Sequence, residues 1–153
     1  MPASFLHPAD NKALISRLFQ LMPDARRRWG TLTAGQMLVH CADQLRISRG
    51  EKPVTSLRPP GLLKPLLKWW FVRRGLEKGF KKGMKTLSEM DARAGMTAPV
   101  SFASDHATLI GLLEPAQYGA GGVEHPLFGH LSAQEFGEIT WRHLDHHLRQ
   151  FGV

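Results

Sequence analysis

The chain has 153 residues, 42% of them hydrophobic, which suits one domain spanning residues 1–153 with its own core. A single cysteine, Cys41, excludes an internal disulfide and a cysteine-built zinc site. The net charge of +7 is local: between Arg58 and Lys85 nine basic residues meet one acid, Glu77, and the rest of the chain sums to −1, unlike a uniformly cationic protein that coats nucleic acid.

Read in chain order, the sequence is mainly helical. After Pro8 and Asp10, the apolar residues Leu14, Ile15, Leu18, Phe19 and Met22 recur three and four apart and predict a helix ending before Pro23. Thr33 and Gln36 form a capping box, each side chain able to satisfy the other's free amide, that opens a second helix running to Gly50 with Met37, Leu38, Cys41 and Leu45 inward. Pro53, Pro59, Pro60 and Gly61 mark a connection. The stretch from Leu62 to about Lys78 has helical spacing broken by Pro65, and a looser segment follows through Gly95.

Pro99 and Ser101 introduce a third long helix bearing Phe102, Leu109, Ile110 and Leu113, which stops near Pro115. Gly119 to Gly122 reads as a turn. A second capping box, Ser132 with Glu135, starts the last helix, from Ala133 to about Phe151. No stretch shows the sustained alternation of a half-buried strand. The expected architecture is therefore all-α: an up-down four-helix bundle with an irregular basic insertion between helices two and three. The greasiest stretch, Leu62 to Val72, is interrupted by Lys64, Pro65 and Lys68, and no leader peptide is visible, so a cytoplasmic protein without a membrane span is expected.

Eight histidines are present, and three fall in Trp141-Arg142-His143-Leu144-Asp145-His146-His147. Residues four apart share a helix face, so His143 and His147 join Phe136, Ile139 and Phe151 in one inward stripe while His146 is rotated away. One buried histidine is commonly satisfied by a carbonyl, but two at this spacing form half of a facial imidazole site for a metal. Leu144 stands where a zinc protease carries its general base, so protease chemistry is rejected. A third ligand must come from another helix. His40 is the first candidate and His106, in line with Phe102, Leu109 and Leu113, is the competitor; spacing does not choose between them. His7, His125 and His130 lie in or beside loops.

Met37-Leu38-Val39-His40, together with His143-Leu144-Asp145-His146-His147-Leu148-Arg149-Gln150, resembles the DinB-like superfamily of metal-binding four-helix bundles. The run from His125-Pro126-Leu127-Phe128-Gly129-His130-Leu131-Ser132, with Trp141 and Gln150-Phe151-Gly152, is similar to an uncharacterised branch of it, and the match spans nearly the whole chain. The resemblance implies metal ligation by His40, His143 and His147, with zinc or nickel the first expectation, and relatives that pair as dimers. It also implies a small-molecule substrate, since characterised relatives include S-transferases and isomerases that use low-molecular-weight thiols.

Three neutral nitrogen ligands leave a coordination position open, the pattern of a catalytic site. The leading expectation is a metal-activated thiolate attacking a small electrophile; a metal-dependent hydrolase is the alternative, and no residue separates the two. A third reading is a non-catalytic module pinned by its metal. In it the basic stretch 58–85, where Leu62, Leu63, Leu66, Leu67, Trp69, Trp70 and Phe71 interleave with lysine and arginine, would contact anionic membrane or nucleic acid. Packing of that stretch onto the bundle is the preferred reading. Asp43 and Gln44 are candidates to orient the His40 ring, with solvated roles preferred. Cys41 lines up with Met37 and Leu45 and reads as core.

Overall fold

Both capping boxes read from the sequence form. Thr33 accepts from the Gln36 amide while the Gln36 side chain accepts from the Thr33 amide, and Ser132 and Glu135 do the same, which sets the first turns of the two helices that carry the candidate ligands. The computed structural model describes residues 2–57, 59–73, 80–83 and 85–153. In it α1 spans Pro8–Gln20, α2 Ala34–Ser48, α3 Lys64–Lys68, α4 Phe102–Leu112 and α5 Ala133–Gln150. Four of these are the long helices expected from periodicity. Their apolar faces meet in a core that includes Leu14, Leu18, Met37, Leu38, Leu45, Leu109, Leu113, Phe136, Leu144 and Leu148.

The expectation of an all-α four-helix bundle is corrected. The described residues hold five helices and a two-stranded antiparallel sheet, β1 Val123–His125 with β2 Gly129–Leu131. Three residues per strand are too few to show a period of two, so the hairpin leaves no alternation signal in the sequence. Its register pairs Val123 with Leu131, Glu124 with His130 and His125 with Gly129. Gly122 has φ +82°, and a side chain there would run into the Leu131 carbonyl, so only glycine fits. His125 and Leu131 turn inward while Glu124 and His130 pair outside. The His125 ring stacks on Phe128 with centroids 4.5 Å apart.

Within the basic insertion, residues 61–73 form one continuous helical segment: a 3-10 turn Gly61–Leu63, then α3, then a π-helical turn Trp69–Arg73. Arg58, Arg74, Glu77 and Lys78, and hence the expected end of this helix, lie outside the described residues. Of its apolar residues Val72 is buried and Phe71 stacks on Phe128, as packing onto the body requires, yet Leu62, Leu66, Trp69 and Trp70 face solvent. Among the described residues no helix is long and apolar enough to cross a membrane.

Asp43 corrects a second expectation. It neither orients His40 nor sits in water: with no exposed surface, its carboxylate accepts from Lys52 at 2.6 Å, from Arg46 at 3.2 Å and from the backbone and hydroxyl of Thr97, both at 2.8 Å. Burial acts to raise its pKa, but the bonds from Lys52 and Thr97 outweigh it and hold the carboxyl below the usual range. Gln44 likewise turns to Ser48, not to a ring. Asp43 is thus the strut that ties α2 to the loop entering α4. Asp43→Ala should cost about 3 kcal/mol, because it leaves Lys52 beside the hole without its partner; urea unfolding of the two proteins at neutral pH measures the difference.

Candidate metal centre

The stripe expected on α5 is real: Phe136, Ile139, His143, His147 and Phe151 are all buried. His40 projects from the middle of α2 against the same face, so the two rings from α5 and the one from α2 close on one another. Centroids of His40 and His143 are 5.1 Å apart, those of His40 and His147 4.7 Å, and those of His143 and His147 4.7 Å. One nitrogen from each ring lies within 4.8 Å of the other two, and the Nε2 atoms of His40 and His143 are 3.1 Å apart.

Of the two competing third residues, the structure brings His40 to the pair and not His106. His106 donates through Nε2 to the Leu18 carbonyl, 2.9 Å away, and packs between Phe19 and Phe102, joining α4 to the end of α1. It is apart from the cluster. His146, as its rotation requires, lies on the flank, its ring against Trp29 and Phe80. Phe80 also meets His143 edge-on at 5.4 Å and so covers one side of the cluster.

What each ring does with its other nitrogen decides which way its lone pair points. His40 Nδ1 donates to the Met90 carbonyl at 2.9 Å, which leaves Nε2 as the acceptor facing the cluster. That carbonyl is held in place by the neighbouring side chain. Glu89, in the 3-10 turn Ser88–Met90, accepts from the backbone amides and hydroxyls of Thr55 and Ser56 and so fastens the turn to the strap leaving α2. Burial would raise the Glu89 carboxyl, but those bonds, led by Ser56, bring it down to about 2.

His147 is oriented by a relay. The Gln150 amide nitrogen donates to the Trp29 carbonyl at 2.8 Å, which turns its oxygen to accept from His147 Nδ1, also at 2.8 Å. The His147 Nε2 lone pair is thereby directed inward. Gly30, at φ +75°, makes the relay possible, since a side chain there would collide with the Gln150 amide. His143 Nδ1, by contrast, is buried without a hydrogen-bond partner among the described residues.

All three rings are neutral at neutral pH. Desolvation is the main cause in each: it pushes His147 down to about 3, His143 well below its ordinary value, and His40 down against the bond to Met90. A set of neutral imidazoles, two with lone pairs fixed inward and one with a buried nitrogen lacking a partner, suits a borderline divalent ion. Sequence reasoning named the three rings that converge here, with His106 as a competitor to His40, but missed Met90, Glu89, Gly30 and the task of Gln150. Only Gln150 left a signal, its position one helical turn beyond His147.

A family model described as "Protein of unknown function (DUF1569)" matches residues 3–152, and the chain belongs to that family. No curated protein and no solved structure matches the chain.

The buried rings make stability depend on acidity. In the unfolded chain histidines take up protons as pH falls through about 6.5, whereas in the folded metal-free protein His147 stays neutral to about 3. The folded state binds fewer protons in that interval, so stability should be flat above 6.5 and fall steadily below it, with Glu89 adding to the loss only below its ordinary 4.5. Denaturant midpoints of the metal-free protein between pH 7.5 and 4.5 check this; an unchanged midpoint would contradict the neutral burial of the rings.

Proposed function

We propose that this member of the family is a metal-dependent enzyme in which His40, His143 and His147 hold one divalent ion, zinc or nickel, and that it catalyses an S-transferase-type reaction between a low-molecular-weight thiol and a small electrophile. The observation that carries the reading is the convergence of three neutral imidazoles, two of which, His40 and His147, have outer contacts that aim their lone pairs at a shared point. When bound, the ion supplies Lewis acidity that lowers the pKa of a thiol or water in the remaining coordination position. The kinship with DinB-like proteins belongs to this proposal and is supported by the motifs around His40 and His143.

The chain's own residues favour a thiol brought from outside. Cys41 is buried, its sulfur lies 3.7 Å from the Met37 sulfur, and burial pushes its pKa up, so it supplies no thiolate. A hydrolase would also need an acid to protonate its leaving group, and the three cluster rings, neutral and committed to the ion, do not supply one. Thiol transfer needs no such donor when the leaving group departs as an anion. A cytoplasmic setting goes with this reading, because a reducing compartment keeps the co-substrate as a thiol.

Elemental analysis should find one equivalent of metal in the purified protein and almost none in His143→Ala. Turnover of chloro-aromatic acceptors, which expel chloride, with a panel of cellular thiols should require His147; equal rates in His147→Ala would remove the transferase reading. The relay gives a separate check. Gln150→Leu keeps every ligand but frees the His147 ring, and should weaken metal affinity roughly 10- to 100-fold in chelator competition.

A further inference from the structure

The rings of the histidine centre face one another beneath the surface: His40 is 5% exposed, His143 7% and His147 9%. An ion, and anything that binds to it, must therefore pass a covering group. The groups around the cluster are not equally fixed. His40 is held by the Met90 carbonyl and His147 by the relay through Gln150 and Trp29, and the helices α2 and α5 carry the rings themselves. Phe80 differs. It belongs to neither helix nor strand, it is half-buried, and its ring lies edge-on to His143 at 5.4 Å and tilted against His146 at 6.2 Å. One edge rests on the cluster while part of the ring meets solvent, so this cover is a single side chain thick.

The backbone beneath that ring is placed by a different contact. Two residues on, the Lys82 ammonium sits 4.3 Å from the centre of the Trp29 ring, which pins the segment to the loop that holds the relay. The Phe80 ring itself has only aromatic neighbours of this weak kind, Phe71 at 6.3 Å being the third, and turning it about its side-chain bonds breaks no hydrogen bond. We propose that the Phe80 ring is the gate of the histidine centre: turned inward it closes the way to the ring nitrogens, and turned outward it admits the ion and then the small thiol. The inference rests on the reading of His40, His143 and His147 as ligands and adds how the space between them is entered. A ring that opens and closes faster than ions arrive multiplies the uptake rate by the fraction of time it stands open. It covers the loaded centre as it covers the empty one, so release slows by the same factor and affinity is left nearly alone. A residue that merely propped the histidines would act otherwise: its removal would weaken affinity and leave uptake no faster.

The test uses cobalt(II) as the probe, followed by its visible absorption as it enters the metal-free protein and as it leaves to an excess of chelator. Phe80→Ala should raise both rates about tenfold while affinity stays within about threefold of the parent. Phe80→Trp keeps the cover and enlarges it, so it should slow both. The gate is overturned if Phe80→Ala takes up cobalt no faster than the parent, or if release alone quickens and affinity falls with it. Should Phe80→Ala fail to fold, Phe80→Trp decides by itself, and rates equal to or above those of the parent overturn the proposal. A parent protein that binds no cobalt overturns the histidine centre and the gate together, whereas normal loading with unchanged exchange in both variants overturns the gate alone.

Discussion

Three imidazoles can be buried side by side only if none of them carries a charge. Each positive ring in that space would lack water and repel the other two, and the depressed basicity of His40, His143 and His147 expresses both effects. Neutrality then raises a second question. A neutral ring has one donor and one acceptor, and the surrounding protein decides which nitrogen is which. Here the outer nitrogens of His40 and His147 are made donors by oxygen acceptors, so the inner ones are left with lone pairs.

The fold can be read as the apparatus that holds those two acceptors. Met90 supplies a main-chain oxygen only because its turn is fastened by Glu89 to Thr55 and Ser56. Gln150 supplies a side-chain oxygen only because Trp29 accepts from its nitrogen and Gly30 leaves it room. Even the C-terminus contributes: Arg17 on α1 binds Asp145 on α5 and the carbonyl of Val153, which steadies the last turns of the helix carrying His147. Small residues and backbone groups well separated in sequence thus converge on two ring orientations.

Much of this was open to sequence reasoning where the physics is local. The capping boxes fixed the starts of α2 and α5, and the four-residue spacing of His143 and His147 within an apolar stripe placed both rings inside. What escaped was non-local. Met90 acts through a carbonyl that every residue possesses, so its identity carries no trace of its task. Asp43 looked like a surface acid because the partners that make its burial tolerable, Lys52 and Thr97, are found only once the chain has folded. The hairpin was too short to show a period. The segment around Trp69 illustrates a different limit: helical spacing shows that apolar side chains share a side, but it is silent on whether that side turns toward the protein or away.

His143 differs from its two neighbours in that no described residue binds its outer nitrogen. Since the inner nitrogen of His40 is an acceptor, the short approach of the two Nε2 atoms makes His143 the donor between them. A ligand bond at that same nitrogen would send the hydrogen to the far side of the ring, where no acceptor waits. Any ion bound there would bring with it a tautomer change of His143, nearly invisible in heavy-atom positions yet plain in ring nitrogen resonances.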